Sequence, residues 1–327
     1  VKRSPLRRAV NAAVRGTARL AATIFFREVR VEEADRLRAA PGARLVVAHH
    51  VNSLVDPILI LAVVPGQPRF LAKSTLWRHP VAAPLVVVSD AIPVYRHQDG
   101  VDVTRNADTF VHAREILRKG GTVALFPEGK SHSEPVPQPL KTGAARIALH
   151  AAVDDRAPVL RIVPIGIGYE DKGRFRSRVA VRVGEPIDPA PEAAAYAAQG
   201  RAAVRALTDR IAAGLVEARP RTPWPVDARR MGAAARVALA LPALVGTAVN
   251  WLPYRLPGWV ASALARNPDD PATYKILTAL VAFPLVWSLL ALAAWRAWGP
   301  PAAAAVALLA PATGYVALLF HDEMAED

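Results

Sequence analysis

His49 and His50 precede Asp56 with six and five residues between them. A neutral imidazole, with a pKa of ~6.5, can take a proton from a hydroxyl, and a nearby carboxylate fixes its tautomer and stabilises the imidazolium that forms. His50 is the expected general base and Asp56 its partner, with His49 open as the alternative base. Two plainer readings compete. A strand-ending histidine could lead into a helix capped by Asn52 or Ser53. A His/His/Asp metal site is the other, but no further ligand stands at a recognisable spacing. Ile92-Pro93-Val94-Tyr95-Arg96 ends on an arginine whose planar fork suits a phosphate. Phe126-Pro127-Glu128-Gly129-Lys130-Ser131 offers Glu128 to accept from a substrate hydroxyl, Gly129 for close backbone approach, and Lys130 and Ser131 as cation and donor. Lys141, between Leu140 and Gly143, is a further candidate for a phosphate contact.

Other chemistries are excluded or disfavoured. The chain has no cysteine, which removes disulfides, thiolate catalysis and cysteine-ligated metals. Gly129-Lys130-Ser131 is not a phosphate loop, because position 124, where the first glycine should fall, is Ala. No G-x-S-x-G elbow occurs, so direct transfer without an acyl-enzyme is the simpler mechanism.

These segments must be held by an α/β frame, since open α/β sheets place functional groups at strand ends and in the following turns. Strand-like runs are Arg44 to Ala48, Val86 to Val88, Thr122 to Phe126, Ile162 to Ile167 and Val179 to Val183. Helical candidates lie near 53 to 63, 104 to 118, 141 to 152 and 200 to 217. The expected fold is α/β, with a mixed, mostly parallel sheet flanked by helices. Residues 1–30 carry eight Lys or Arg against Glu28 alone, and Leu6, Val10, Val14, Thr17, Ala21, Ile24 and Phe25 recur at helical spacing. This predicts an N-terminal basic amphipathic helix on a membrane surface, rather than a cleaved signal peptide. The expected catalytic domain is 31–218. Pro220, Pro223 and Pro225 mark the boundary, and 219–275 is a linker with an interfacial apolar helix, Val237 to Leu252. Residues 276–327 read as a C-terminal transmembrane helical hairpin with an acidic tail. Ile276 to Trp295 and Ala302 to Phe320 are uncharged over twenty and nineteen residues, near the ~20 that a bilayer core requires. Arg255, Arg266 and Lys275 precede the hairpin and only Arg296 lies in its loop, which puts the catalytic domain on the cytoplasmic side of the cell membrane.

A formal charge of +13 and pI near 10.6 call for a polyanionic partner. With 52% hydrophobic residues, a mean hydropathy of +0.19 and few aromatics interleaved with the basic residues, that partner is membrane phospholipid rather than nucleic acid.

Taken in order, His49 to Pro57, Ile92 to Arg96, Phe126 to Ser131 and Val163-Pro164-Ile165-Gly166-Ile167 resemble the phospholipid/glycerol acyltransferase family over roughly residues 40 to 190. Leu140 to Ala145 and Val183 to Ile187 are similar to it as well. The usual family spacing puts four residues between His and Asp. The longer His50-x-Asn52-x-x-x-Asp56-Pro57 form looks like a branch that includes glycerol-phosphate acyltransferases, which favours His50 over His49. The resemblance implies acyl transfer from acyl-CoA or an acyl carrier protein thioester to a hydroxyl of 1-acylglycerol 3-phosphate (lysophosphatidate), with glycerol 3-phosphate as the alternative acceptor. It also implies a phosphate-binding role for Arg96. No metal or cofactor is implied. The competing class is an inactive membrane-associated scaffold with an acyltransferase-like domain.

Overall fold

The computed structural model describes residues 4–40, 42–79, 82–133, 138–153, 158–221, 224 and 231–324. Pro223 and Pro225 of the expected boundary, Lys2 and Arg3, and the last residues of the acidic tail lie outside them. The chain divides into two compact units, Val1–Glu170 with Ser177–Thr222, and Asp171–Arg176 with Pro223–Asp327.

The first unit is a seven-stranded mixed sheet flanked by helices. In chain order it contains α1 (Pro5–Phe25), β1 (Glu28–Glu32), α2 (Asp35–Ala39), β2 (Ala43–Ala48), α3 (Val55–Val63), β3 (Arg69–Lys73), α4 (Ala82–Val88), β4 (Ile92–Val94), α5 (Asn106–Arg118), β5 (Thr122–Leu125), α6 (Gly143–Ala152), β6 (Leu160–Tyr169), β7 (Arg178–Val183) and α7 (Ala190–Glu217). The strand order is β1-β7-β6-β2-β5-β3-β4, and every pairing is parallel except β6 with β7. β2 is the middle strand, and its Leu45-Val46-Val47-Ala48 run is buried on both faces, as a central parallel strand requires. Leu45 and Val47 join Val123, Leu125, Ile147, Leu149, Leu207 and Ile211 in one core.

Two local expectations are corrected. Val86 to Val88 end helix α4 rather than form a strand, and Val87 and Val88 are exposed. Their β-branched run suggested pleated backbone, but no strand lies beside them to bury it. The N-terminal helix stops at Phe25, and residues 28–30 belong to β1, which pairs with β7 from Glu28↔Arg178. Ser4 caps that helix, its Oγ accepting from the Arg7 N–H at 3.3 Å. β1 and β3 were not read as strands because charged residues interrupt their short apolar alternation.

The second unit contains α8 (Ala233–Val249), α9 (Trp251–Leu264), α10 (Pro271–Trp298) and α11 (Pro300–Met324). α10 and α11 are long and apolar enough to cross a membrane, with mean hydropathies of 2.3 and 1.9 over an 18-residue window. α8 and α9, bent by 53° at their junction, meet the same criterion only as a pair. Buried Asn250 ties three helices together. Its Nδ2 donates to Gly246 O (2.9 Å) and Ala310 O (3.2 Å), and its Oδ1 accepts from Trp287 Nε1 (2.8 Å). Such a node is satisfied entirely by protein, as an apolar surround demands. The loop Asp171–Arg176 is bound into the same unit: Lys172 pairs with Asp269, Lys275 Nζ donates to Gly173 O, and Arg176 pairs with Asp322.

α8 packs closely on α11 at Gly246, where an added Cβ would come within 2.0 Å of Thr313 O. Gly246→Ala is therefore expected to push these helices apart and cost about 1–3 kcal/mol. Thermal unfolding in detergent checks this, and an unchanged midpoint would show that the contact gives way freely.

Candidate active site

β2, β5 and β6 are adjacent, and the residues after or at their C-terminal ends converge. His49 and His50 follow β2, Glu128 lies in the turn after β5, and Tyr169 ends β6. Asp56 enters from the first turn of α3, where the helix dipole favours a carboxylate.

His50 and Asp56 meet: Nδ1 to Oδ2 is 2.9 Å. The five-residue spacing closes through a turn in which Ser53 takes φ +24°, a value few non-glycine residues adopt. Asp56 is fully buried and saturated with donors. Oδ2 also accepts from the Asn52 N–H (2.8 Å), and Oδ1 accepts from the Tyr169 hydroxyl (2.5 Å). Burial, then the Asp56 charge and the hydrogen bond to it, hold the Tyr169 phenol well above its ordinary range, so this hydroxyl is a permanent donor. The His50 ring stacks on Phe126, centroids 4.1 Å apart and planes 14° apart, and its Nε2 has no hydrogen-bond partner among the described residues. A proton-accepting nitrogen is thus left open on a fixed ring.

His49 is placed differently. It is buried, its Nδ1 lies 3.0 Å from Glu128 Oε1, and its Nε2 lies 3.3 Å from Leu215 O. Both ring nitrogens of His49 thus face oxygen atoms of the protein, which leaves neither directed at a substrate.

Glu128 departs from the role expected of it. Its side chain is wholly inaccessible. Oε1 holds His49, and Oε2 accepts from the His50 N–H at 2.9 Å. His132 Nε2 lies 3.1 Å from Oε2. Burial pushes the Glu128 carboxyl up, but His49, the His50 N–H and His132 outweigh it and hold it below the ordinary glutamate range. In this arrangement Glu128 braces the histidines and does not face a substrate hydroxyl.

Gly129, at φ +77°, is where the backbone turns out of β5, and an added Cβ would lie 2.7 Å from Lys141 Nζ. The Lys141 N–H donates to Pro127 O at 2.8 Å, which holds this lysine against the turn. Lys130 is exposed, and Ser131 Oγ lies 3.4 Å from Ser53 Oγ, beside the His50–Asp56 turn.

Arg96 reaches the same turn, donating from Nη1 to Gly129 O at 3.0 Å, but its fork is occupied by Asp99, with Nε and Nη2 at 2.8 and 2.9 Å from the two carboxylate oxygens. Asn106 and Thr109 of α5 fix the Arg96 segment: Asn106 bonds Tyr95 N–H and C=O, and the Thr109 hydroxyl donates to Pro93 O. The hydrogen bonds from Arg96, with the charges of Arg96, Lys73 and Lys141 behind them, hold the Asp99 carboxyl below its ordinary range against the effect of burial. Lys73, at the end of β3, thus joins Arg96 and Lys141 around Asp99, and the cluster is net positive.

Sequence reasoning missed Tyr169, Asp99, Lys73 and the bracing role of His132. A carboxylate three residues after Arg96 was the visible signal for Asp99. Tyr169 left none, since 113 positions separate it from Asp56.

The acyltransferase family model matches residues 28–168. Glycerol-3-phosphate O-acyltransferase 2 of Saccharomyces cerevisiae is 37% identical over 93 residues, 28% of this chain and 12% of that protein. Glycerol-3-phosphate O-acyltransferase 1 of the same yeast is 39% identical over 105 residues, 31% of this chain and 14% of that protein. An uncharacterized acyltransferase of Schizosaccharomyces pombe is 34% identical over 147 residues, 42% of this chain and 22% of that protein. The chain thus spans less than a quarter of the length of these relatives. Among solved structures, the crystal structure of the 1-acyl-sn-glycerophosphate (LPA) acyltransferase PlsC of Thermotoga maritima aligns with a TM-score of 0.46 and 21% identity, over 67% of this chain and 83% of that one. Residues 28–168, the segment that carries His50, Asp56, Arg96 and Glu128, are thus similar to the acyltransferase family.

Proposed function

We propose that the chain transfers a fatty acyl group from acyl-CoA or an acyl carrier protein thioester to a hydroxyl of 1-acylglycerol 3-phosphate, working at the cytoplasmic face of the cell membrane. The observation that carries this reading is the His50–Asp56 pair at 2.9 Å with Nε2 left open. In the reaction, His50 Nε2 removes the acceptor hydroxyl proton as that oxygen bonds to the thioester carbonyl carbon. The tetrahedral intermediate collapses with cleavage of the C–S bond, and the proton passes from Nε2 to the departing thiolate sulfur. Asp56 keeps the Nδ1–H tautomer and balances the imidazolium between these steps. Arg96, Lys73 and Lys141, with Lys130 and Ser131 beside them, supply positive charge and donors for the acceptor phosphate. Helices able to span a bilayer suit an acyltransferase whose donor and product are amphiphiles.

Glycerol 3-phosphate is the second reading of the acceptor, favoured by the names of the two yeast relatives. Detergent-solubilised protein given radiolabelled acyl-CoA or acyl carrier protein thioester, with each acceptor in turn, separates the readings by the lipid product formed. Transfer to neither acceptor from folded protein would support the inactive scaffold instead.

Tyr169→Phe tests the bracing of Asp56. Without the phenol, the carboxylate keeps more of its charge for His50, so the imidazole becomes more basic. The groups bearing on the pair are Asp56, Tyr169, the Asn52 N–H, and Glu128 through the His50 N–H. The acidic limb of the kcat/KM profile, which requires neutral His50, is expected to move to higher pH. A purely structural tyrosine would lower stability without moving that limb.

A further inference from the structure

A second concavity in the first unit lies away from the His50–Asp56 pair. Arg15 and Arg19, one turn apart on α1, and Arg38 of α2 line a cavity of about 390 Å³ whose other walls include Val31, Leu37 and Val63. Among the described residues no carboxylate lines it. Arg19 Nε donates to Ala62 O at 3.1 Å, and Arg38 pairs with Asp35, but Arg15 Nε is buried with no hydrogen-bond partner. Burial and the neighbouring Arg19 charge both push the Arg15 guanidinium below its ordinary range, the mark of a cationic pair without its counter-ion. The cavity meets the C-terminal end of α3 at Ala62 and Val63, seven residues beyond Asp56, roughly 10 Å along the helix from the catalytic end.

Apolar walls with unbalanced guanidinium groups fit a molecule that is itself anionic at one end and hydrocarbon at the other. We propose that this cavity seats the headgroup region of one anionic phospholipid of the bilayer, its phosphate between Arg15 and Arg19 and its upper acyl chain against Val31, Leu37 and Val63. The exposed Leu6 and Leu20 on the same helix provide an apolar surface that can enter the lipid around it. This site gives α1 a preference for lipid charge that an amphipathic helix alone supplies only diffusely. It is independent of which acceptor the chain acylates, and of whether it acylates any.

Native mass spectrometry of the full chain, released from detergent in the presence of phosphatidylglycerol or phosphatidylcholine, tests the proposal. The unaltered protein is expected to retain one phosphatidylglycerol at least about tenfold more tightly than phosphatidylcholine. Arg15→Gln with Arg19→Gln should abolish that difference, whereas Arg8→Gln with Arg114→Gln, which removes equal charge at exposed positions elsewhere, should preserve it. Ala62→Phe keeps the arginines and fills the cavity, and it too should release the lipid. Circular dichroism and a thermal midpoint establish that each variant is folded; if Ala62→Phe does not fold, the two arginine pairs decide. Equal retention of the two lipids by the unaltered protein, or equal loss in both arginine pairs, would overturn the site and leave only diffuse attraction to an anionic surface.

Discussion

His50→Ala is expected to lower the acyl-transfer rate by about 10²–10⁴-fold, the usual contribution of a positioned general base. Thermal stability should fall less than the rate, because buried Asp56 loses one partner but keeps the Asn52 N–H and the Tyr169 hydroxyl. His49→Ala should behave in the opposite sense. That ring is buried between Glu128 and Leu215 O, so its removal leaves a carboxylate without its closest partner and mainly costs stability. The decisive measurement is the pair of variants assayed side by side for initial rate and unfolding midpoint. Full activity in His50→Ala would end the assignment of the base to that residue, and a rate collapse confined to folded His49→Ala would transfer it to His49.

Replacing Glu128 by alanine should be the most damaging single change to stability, at about 3–5 kcal/mol, the range found when one partner of a buried ion pair is removed. The carboxylate is inaccessible and holds His49, the His50 N–H and His132 together. The pH dependence has a definite sign. The folded carboxyl lies below the ordinary value of 4.5, so its contribution is complete above that value and is lost as pH falls through the lower, folded one. Acid unfolding of the unaltered protein should therefore steepen below about pH 4.5, and the steepening should vanish in Glu128→Gln. Calorimetry across that interval reads both. An unchanged acid profile in Glu128→Gln would mean that other carboxylates carry the acid transition.

Much of this frame was legible because its signals are local. The apolar run of β2, the Phe126 to Ser131 turn after β5 and the two long uncharged stretches are each contained within about twenty residues, and each is found where its own pattern places it. The His50–Asp56 pair was legible for the same reason, since a strand end and the next helix start are one turn apart. What escaped depends on contacts made across the sheet. The exposure of Glu128 cannot be read from its place at a strand mouth, because His49, which holds Oε1, arrives from the end of β2, 79 positions away. Helix α9 escaped for a different reason. It holds two prolines, yet Pro253 sits in the first turn, where no intrahelical donor is required, and only Pro257 removes a hydrogen bond from the interior.

The middle position of β2 has a consequence for how the protein reaches its native state. His50, Glu128 and Tyr169 belong to three neighbouring strands that are far apart along the chain, with 78 positions from His50 to Glu128 and 113 from Asp56 to Tyr169. His50 and Asp56 meet locally, but no short segment can bring Glu128 and Tyr169 to them, and each of those contacts requires the closure of a long loop before it rewards the chain. Refolding should be slow for the size of the unit, and catalytic competence should return with the same time constant as the whole sheet, without a partly competent intermediate on the way.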